Sequence, residues 1–451
     1  MPKRFERGRL VLVCLFLLSL PAITPRLYSS DEVQYFAYLR SLWFDHDLSF
    51  ENEYQHFYDA GIARSDGFHE TFLERTTETG RRINFGTLGC AILWAPFYAA
   101  GDVVARATGA PLDGYSKPYV SAVAYGSAFY GFAAVLLGIA CAERLRFAGV
   151  IAGVMVWVGT PLLFYMYVAP PFSHACSAFA VALFVTVWLR VRERWTPPGL
   201  FALGVTAALM AMVREQDAFF VVGPAVDFLI APVRRTTIPA ALAGIAGGVL
   251  AYAPQALAYL RLNGHLGPHA SVEHKMSWSA PHLIQVLVSP EHGYFLWTPL
   301  AAIAIAGLVV MASHADRRRI ALCMLLMVAF QVYIGGSVES WTVAGGFGQR
   351  RFVALSVLLI IGLAAAFSAL TARAAPSAAT VRRAVIAVAV VAVYWNIALS
   401  AEFAIGLMDR QRLQPARNAY DAFVTIPREA PSLAYRYLFD RQSFYAPHRS
   451  Q

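Results

Sequence analysis

The sequence predicts an all-α, polytopic membrane protein. Of its 451 residues, 58% are hydrophobic and only 14% are charged, whereas soluble domains average about 45–50% apolar and about 25% charged residues. Long apolar stretches recur along the chain, and several reach the roughly 17–25 residues that a helix needs to cross the hydrocarbon core. These observations predict about eleven transmembrane helices, with interfacial helices in the first extracytoplasmic loop.

The basic residues indicate how the chain is threaded through the membrane. Consecutive basic clusters are separated by about two apolar stretches, and placing every cluster in the cytoplasm satisfies the positive-inside rule. The N terminus is then inside and the C terminus outside. The clusters lie at 3–9, 144–146, 190–194, 234–235, 317–319 and 373–383. The predicted spans are 9–27, 119–141, 148–168, 174–189, 199–213, 217–232, 239–261, 295–312, 320–336, 352–371 and 384–405.

Two apolar segments allow a second interpretation. The first one follows a basic start, as in a cleaved signal peptide, but Pro21 and Pro25 make a poor cleavage site, so we expect a retained helix. The segment 86–105 is apolar enough to span the membrane, yet a span there would turn all later basic clusters outward. We therefore expect a helix that lies in or dips into the outer interface, with Trp94 as one aromatic anchor.

This threading defines the domain organisation. Residues 1–405 form the transmembrane domain, and residues 28–118 within it form the first extracytoplasmic loop. Residues 406–451 form a short extracytoplasmic tail. The outer loops are long and rich in acids, histidines and aromatics, whereas the inner ones are short and carry little besides arginine. Chemistry is therefore expected on the outer face.

Asp31 and Glu32 lie just after the first apolar stretch. They directly precede the segment "VQYFAYLRSLWF", whose apolar residues recur with a 3.6-residue period. The period predicts an interfacial amphipathic helix with both acids at its N terminus. One interpretation is structural, with Asp31 as an N-cap. The other is functional, with Asp31 as a general base held against a substrate at the membrane surface and Glu32 orienting Asp31 or helping to bind a cation.

The segment "GGSVESWTVAGGFGQRRF" contains an unusual outer arginine pair, Arg350 and Arg351. Basic residues are normally depleted on this side, so the pair favours either contact with lipid headgroups or a phosphate site made of guanidinium groups and glycine amides. Arg214, in "VREQDAFF", is either part of a polar turn or a further phosphate ligand. The candidate substrate-binding residues of the former segment are Glu339, Trp341 and Gln349.

Two outer histidines complete the candidate site. His174 begins a predicted helix, and His292 lies beside Trp297. Each is either a hydrogen-bonding loop residue or a substrate ligand. No spacing predicts a structural metal site, and neither a P-loop nor a dinucleotide fingerprint is present. The five cysteines are scattered singly and predict no disulfide framework.

These residues resemble those of the GT-C class of membrane glycosyltransferases, which includes protein O-mannosyltransferases and lipid A aminoarabinose transferases. "SSDEVQYFAYLRSL" is similar to the first-loop signature of that class, and "RRINFGTLGCAILWAPFY" resembles its next block. The usual Lys-Pro-Pro is absent here, and Arg82 stands nearby. Five further pieces, "DHDLSFENEY", "SHA", "VREQDA", "HGYFLWTP" and "FGQRRF", resemble blocks in uncharacterised bacterial relatives.

The resemblance implies a bacterial inner-membrane enzyme that takes a sugar from a polyprenyl-phosphate donor. The acceptor would be a glycan, lipid or protein on the extracytoplasmic face, and transfer would invert the anomeric centre. Asp31 would take the acceptor proton, and Glu32 would orient the acceptor or share a metal. Arg350 and Arg351, with Arg214 or Arg82, would bind the donor phosphate. Membrane lipids are the other expected partners, nucleic acid is not one, and a divalent cation is an open alternative.

Two rival classes remain. A transporter or lipid flippase would show inverted repeats and charges near the membrane midplane. No repeat is visible, and few charges interrupt the apolar stretches; Asp227, near the inner end of a predicted span, is one exception. The third reading is a non-catalytic scaffold, which the acids on the outer face disfavour.

Overall fold

The computed structural model describes residues 2–62, 66–232, 235, 237–343, 345–372 and 376–445. Arg234, Arg373 and residues 446–451, which belong to the predicted clusters and tail, lie outside the described residues. Within the described ranges every regular element is helical, apart from two isolated β-bridges at Thr76–Arg82 and Met276–Val338. The predicted all-α class is confirmed.

The N-terminal part of the chain, up to the end of the first loop, contains five α-helices. The loop also contains two π-helical turns, Ser41–Asp45 and His69–Glu74. The predicted amphipathic helix after Tyr28 is present and begins at Ser30. The five helices are α1 (Pro2–Ser19), α2 (Ser30–Arg40), α3 (Glu51–Asp59), α4 (Asp66–Phe68) and α5 (Gly89–Thr108).

The middle and C-terminal parts of the chain form the apolar bundle and its outer connections. The first group of helices is α6 (Lys117–Arg144), α7 (Gly149–Gly159), α8 (Leu162–Tyr167), α9 (His174–Val191), α10 (Pro197–Val213), α11 (Val222–Leu229) and α12 (Thr237–Asn263). The second is α13 (Ala270–Glu273), α14 (Gln285–Val288), α15 (Tyr294–Trp297), α16 (Leu300–Ala312), α17 (Arg318–Ser337), α18 (Ser356–Ala372) and α19 (Pro376–Ala404). The tail adds α20 (Pro415–Tyr420), α21 (Ile426–Phe439) and α22 (Arg441–Phe444).

Two of the predicted spans are interrupted by proline. The predicted span 148–168 is divided into α7 and α8 at Pro161, and the predicted span 295–312 is divided into α15 and α16 at Pro299. A proline ring has no N–H and clashes with the preceding turn, so it favours a new helix start at these positions. Hydrophobicity alone does not reveal these breaks.

Six helices in the described part of the chain are long and apolar enough to cross a membrane, and this supports a multi-pass membrane protein. The total of eleven spans remains a prediction, because shorter apolar helices accompany the six. The six segments are Lys117–Arg144, His174–Val191, Thr237–Asn263, Arg318–Ser337, Arg350–Thr371 and Ala379–Ala404. The shorter ones are Gly149–Gly159, Pro197–Val213 and Leu300–Ala312.

Glycines allow two helix pairs to pack with their backbones in contact. A Cβ atom on Gly307 of α16 would lie 1.8 Å from the carbonyl oxygen of Gly362 on α18. A Cβ atom on Gly204 of α10 would lie 2.0 Å from the carbonyl oxygen of Gly244 on α12. Because lipid tails are as apolar as leucine, close contact between small residues is a main source of helix association in membranes.

Asp227 is buried at one end of the bundle, and its charge is fully paired. Its carboxylate accepts hydrogen bonds from Arg192 at 2.8 and 3.1 Å, from Arg319 at 2.6 Å and from the indole of Trp188 at 2.9 Å. The arginines come from two of the clusters predicted to be cytoplasmic. Asp227 therefore joins the ends of several helices. This structural role explains its buried charge without a transport pathway.

Further ion pairs place two more of the basic clusters at the same end. Arg9 pairs with Glu143, and Arg144 pairs with Glu193 at 2.5 Å. The adjoining residues of α6 and α9 thus connect the first helix to the Asp227 cluster. Four of the clusters that the positive-inside rule assigns to the cytoplasm therefore share one end of the bundle, namely 3–9, 144–146, 190–194 and 317–319.

The tail packs on the residues that follow α1. Tyr437 donates to the carbonyl oxygen of Ala22 at 2.8 Å, and Arg441 donates to that of Ile23 at 2.6 Å. The guanidinium group of Arg26 lies 3.7 Å from the centre of the Tyr445 ring. These contacts place the tail at the bundle end opposite the Asp227 cluster.

Helix α5, the predicted interfacial helix, packs on outer parts of its neighbours. Its first residue, Gly89, lies so close to α10 that a Cβ atom would come within 2.4 Å of the Met212 carbonyl carbon. Farther along, Gly101 packs against Pro118 near the start of α6. The contacts at both points are with the ends of α10 and α6 remote from the arginine clusters. The depth of α5 in the membrane remains a prediction.

Candidate active site

A cavity of about 700 Å³ lies at the bundle end remote from the arginine clusters. The N terminus of α2, the start of α9 and the loop before α14 contribute side chains to its walls. Two 3-10 segments, Glu215–Val221 and Arg350–Leu355, begin at the cavity. The first residues of these segments come from parts of the chain that are far apart in sequence.

Asp31 lines the cavity from the second position of α2. Its Oδ2 atom accepts a hydrogen bond from Nη1 of Arg350 at 2.7 Å. The N-cap of α2 is Ser29, with extended backbone angles, so the interpretation of Asp31 as the N-cap is wrong. The carboxylate of Asp31 is partly exposed in the cavity, where it is paired with Arg350.

Glu32 takes the structural role instead and does not line the cavity. Its side chain is fully buried, and Oε2 accepts from the backbone N–H groups of Tyr28 at 2.7 Å and Ser29 at 3.0 Å. This is the reach-back contact of a capping box. Burial raises the pKa of Glu32 from 4.5 to about 8. The predicted role of Glu32 in orienting the acceptor is therefore corrected to helix capping.

Arg350 and Arg351 both line the cavity, as predicted. The Arg350 guanidinium lies 5.5 Å from the centre of the Phe172 ring, which fixes its direction toward Asp31. Arg351 donates to the Ser340 hydroxyl at 3.0 Å and to Oε1 of Gln216 at 3.5 Å. The side chain of Arg351 thus has neutral hydrogen-bond partners among the described residues.

Arg214 and His174 lie side by side in the same cavity. Nη1 of Arg214 contacts Nδ1 of His174, and Nη2 donates to Gln216 at 3.1 Å. An arginine only donates hydrogen bonds, so Nδ1 accepts and the ring is the neutral tautomer protonated on Nε2. Gln216 in turn donates to the backbone oxygen of Arg351 at 2.9 Å and so links the two arginines.

The cavity has an excess of positive charge. Glu215 lies in its wall and accepts from the Tyr259 hydroxyl at 2.5 Å, and burial raises the pKa of Glu215. A low-dielectric cavity with surplus cationic groups favours an anionic ligand. Four basic residues face two acidic ones: Arg214, Lys275, Arg350 and Arg351 against Asp31 and Glu215.

Arg82, the remaining predicted phosphate ligand, is not brought to this cavity. It donates to Glu51 at 2.7 Å and to the backbone oxygen of Glu74 at 3.1 Å. Both partners belong to the first loop, and neither lines the cavity. The proposed phosphate contact of Arg82 is therefore corrected to a contact within the loop.

His292 and Gln349 are buried scaffold residues and do not line the cavity. Nε2 of His292 hydrogen-bonds to the Gly346 carbonyl at 2.9 Å, and its ring stacks on Trp297 at 4.6 Å. Burial lowers the pKa of His292 to about 4, so the ring is neutral near pH 7. Gln349 donates to the backbone oxygens of His292 and Trp341. Their roles are to fasten two loops together.

Glu339 and Trp341 also fall outside the cavity wall. Glu339 is exposed, and its backbone N–H donates to the Lys275 carbonyl at 2.8 Å. Trp341 stacks on His282 at 5.3 Å. No glycine of this segment is among the described residues that line the cavity, so the predicted phosphate contact with glycine amides is not found there.

Sequence reasoning missed Lys275 as a cavity residue. Its ammonium group lies 4.9 Å from the centre of the Phe85 ring, which also lines the cavity. A weak signal was available, because Lys275 is one of only three lysines in a chain otherwise rich in arginine. Gln34 is a second missed residue: it accepts from the backbone N–H of Phe85 at 2.8 Å and joins α2 to that segment.

The described residues contain no group of three or more histidine, cysteine, aspartate or glutamate side chains placed to hold a metal ion. Asp31 and Glu215 are the carboxylates of the cavity wall. Within that wall, any cation would therefore depend on ligand atoms supplied by a substrate as well.

The fold and the site together define a polytopic helical membrane protein with a cationic cavity at one end. Comparison with solved structures finds the same fold in ArnT from Cupriavidus metallidurans, a lipid A aminoarabinose transferase of the GT-C class. The structure bound to undecaprenyl phosphate matches with a TM-score of 0.55 at 14% identity, covering 98% of this chain and 74% of that one. The apo structure matches with a TM-score of 0.52 at 14% identity, covering 97% and 74%.

The predicted resemblance to the GT-C class is thus confirmed at the level of the fold. No protein-family model matches the sequence, and a search of curated proteins also gives no match.

Proposed function

We propose that this protein is a membrane glycosyltransferase that transfers a sugar from a polyprenyl-phosphate donor to an acceptor in the cell envelope. The observation that carries the proposal is the convergence of Asp31 with Arg214, Arg350 and Arg351 in one cavity. The fold shared with a structure bound to undecaprenyl phosphate supports the same class of donor. Reaction on the extracytoplasmic face follows from the positive-inside rule.

The proposed reaction is a single displacement that inverts the anomeric carbon. The acceptor hydroxyl attacks that carbon and forms the new glycosidic bond while the bond from the carbon to the phosphate oxygen breaks. Asp31 takes the acceptor proton as general base. The electron pair of the broken bond stays on polyprenyl phosphate, whose charge increases as it leaves.

The arginines supply the stabilisation that this charge requires. Guanidinium groups match phosphate oxygens geometrically and bind them with charge-assisted hydrogen bonds. Arg351 and Arg214 have neutral partners among the described residues, so neither must be released from a carboxylate before it binds phosphate. Donors that are fixed in position before the reaction stabilise a developing charge strongly.

Further polar groups in the wall of the same cavity suit a sugar. Nε2 of His174 carries a proton and has no hydrogen-bond partner among the described residues. Glu215 and Gln216 add acceptor and donor atoms to the same wall. We assign the sugar hydroxyls to this side of the cavity. The acceptor belongs to the class of glycans, lipids or proteins with a free hydroxyl.

A divalent cation is the open element of this proposal. Mg²⁺ commonly binds through one or two protein carboxylates together with substrate phosphate oxygens, and Asp31 and Glu215 could contribute such carboxylates. Assays before and after treatment with EDTA, with Mg²⁺ or Mn²⁺ restored, decide whether transfer needs a cation.

The test uses the purified full-length protein with a panel of polyprenyl-phosphate sugars and cell-envelope acceptors. Release of polyprenyl phosphate and formation of a glycosylated product are measured for the wild type, Asp31→Asn and the control Asp59→Asn. Asp59 is exposed in the same loop, away from the cavity. We expect Asp31→Asn to lower transfer roughly 10²- to 10⁴-fold and Asp59→Asn to retain it. Full transfer by Asp31→Asn would remove Asp31 as the base.

A further inference from the structure

A groove lies on the membrane-facing surface, far from the cavity that contains Asp31. It has a volume of about 460 Å³ and lies between α7, α18 and α19. Aliphatic side chains such as Val154, Leu370 and Val390 form its walls. Ile151 and Val390 are more than half exposed, so the groove is open sideways to the lipid.

Arg382 is the charged residue of the groove and lies near the start of α19. Among the described residues it has no hydrogen-bond or ion-pair partner. The other polar side chain of the wall, Thr371, donates to the backbone oxygens of Phe367 and Ser368 in its own helix, at 3.1 and 2.9 Å. The guanidinium group of Arg382 is therefore the group that can bind a polar ligand here.

The opposite end of the groove is closed by contact between two helices. A Cβ atom on Gly159 would lie only 2.6 Å from Cγ2 of Val393. From Arg382 to Val393 the helix rises about 16 Å at about 1.5 Å per residue. This is close to half of the roughly 30 Å hydrocarbon core. The groove thus runs through approximately one leaflet.

That leaflet is the one next to the arginine clusters. Helix α7 begins just after Phe147, and the guanidinium group of Arg317 lies 4.6 Å from the centre of the Phe147 ring. Arg317 belongs to a cluster assigned to the cytoplasm. Basic pockets between transmembrane helices on this side bind anionic lipid headgroups, whose charge complements that of Arg382.

We propose that this groove is a binding site for an anionic phospholipid of the inner leaflet. One acyl chain lies between α7, α18 and α19, and the phosphate group is bound by Arg382. The site is independent of the proposed glycosyl transfer, because it lies at the other end of the bundle and shares no lining residue with the outer cavity.

Native mass spectrometry of the delipidated full-length protein tests the proposal. Phosphatidylglycerol and phosphatidylethanolamine with identical acyl chains are titrated against the wild type, Arg382→Gln and the control Arg383→Gln. Arg383 is the exposed neighbour on α19 and does not line the groove. We expect the wild type and Arg383→Gln to bind one phosphatidylglycerol preferentially, and Arg382→Gln to bind it roughly tenfold more weakly.

A third variant, Val154→Trp, fills the apolar part of the groove. We expect it to lose the bound phospholipid while Arg382 remains in place. If this variant does not fold, the comparison of Arg382→Gln with Arg383→Gln decides by itself. Equal binding of the two lipids by the wild type, or equal losses in the two arginine variants, would overturn the proposal.

Discussion

Asp31 and Arg350 are 319 residues apart in sequence, and Nη1 of Arg350 donates a hydrogen bond of 2.7 Å to Oδ2 of Asp31. One guanidinium group therefore touches the proposed base and lies in the proposed phosphate site. A donor phosphate that enters the cavity competes with the Asp31 carboxylate for Arg350. Donor binding would weaken this ion pair and leave the carboxylate available to an acceptor hydroxyl.

This competition predicts that Asp31→Asn separates binding from turnover. The substitution removes a negative charge from a cationic cavity, so polyprenyl phosphate should bind roughly two- to fivefold more tightly, as expected from the loss of one partly exposed ion pair. Transfer should be lost at the same time. Equilibrium binding of labelled undecaprenyl phosphate measures the first effect. Weaker binding by Asp31→Asn would contradict the competition, and Asp59→Asn serves as the control.

The arginines at 350 and 351 should determine donor affinity. Arg350→Gln and Arg351→Gln each remove a cationic donor, and we expect each to weaken binding of undecaprenyl phosphate roughly 10- to 100-fold. Arg82→Gln is the matched control, because Arg82 pairs with Glu51 outside the cavity. The same binding assay applies. A loss in Arg82→Gln as large as in the other two variants would refute the assignment of the phosphate to this cavity.

Glu32 should affect stability in a pH-dependent manner. The pKa of the folded carboxyl is raised to about 8 by burial, above its ordinary value of 4.5. The contribution of the protonated carboxyl to the free energy of unfolding is complete below pH 4.5 and declines as the pH rises toward about 8. Glutamine at this position keeps the reach-back acceptor without the charge. The difference in Tm between Glu32→Gln and the wild type should therefore grow in favour of the variant across this range. A constant difference would show that Glu32 does not titrate in this way.

Close helix contact at Gly362 should make this position intolerant of a side chain. A Cβ atom there would lie 2.1 Å from the backbone oxygen of Ala304, so α16 and α18 must separate. We expect Gly362→Ala to lower the free energy of unfolding by about 1–3 kcal/mol. At Gly248 the nearest atom is 3.7 Å from the added Cβ, and Gly248→Ala should be tolerated. Thermal unfolding in detergent compares the two, and equal Tm values would argue against this packing.

The class of fold could be predicted from sequence because helices that are surrounded by lipid consist of long stretches of hydrophobic residues. The length of the apolar stretches predicted the presence of the helices. The positions of the basic residues predicted that clusters distant in sequence lie at the same end of the bundle. The breaks at Pro161 and Pro299 were less visible, since apolar residues continue across both. Proline acts on the backbone and leaves the hydrophobic pattern unchanged.

The candidate site was predicted in part. Charged residues directly beside apolar spans are costly and therefore indicate a function. This argument identified Asp31, Arg350 and Arg351, and the structure brings these three residues together. Glu32 and Gln349 carry the same kind of signal, yet their polar atoms satisfy backbone groups. Sequence does not distinguish a polar side chain that serves the scaffold from one that faces a ligand, because that depends on contacts distant in the chain.

The most direct test of the central claim is a structure of this protein determined with bound undecaprenyl phosphate. We predict that the phosphate oxygens are hydrogen-bonded to Arg350 and Arg351, and that the Asp31 carboxylate has separated from Arg350 and faces the open part of the cavity. A phosphate bound outside this cavity, or bound within it with Asp31 directed away, would contradict the account.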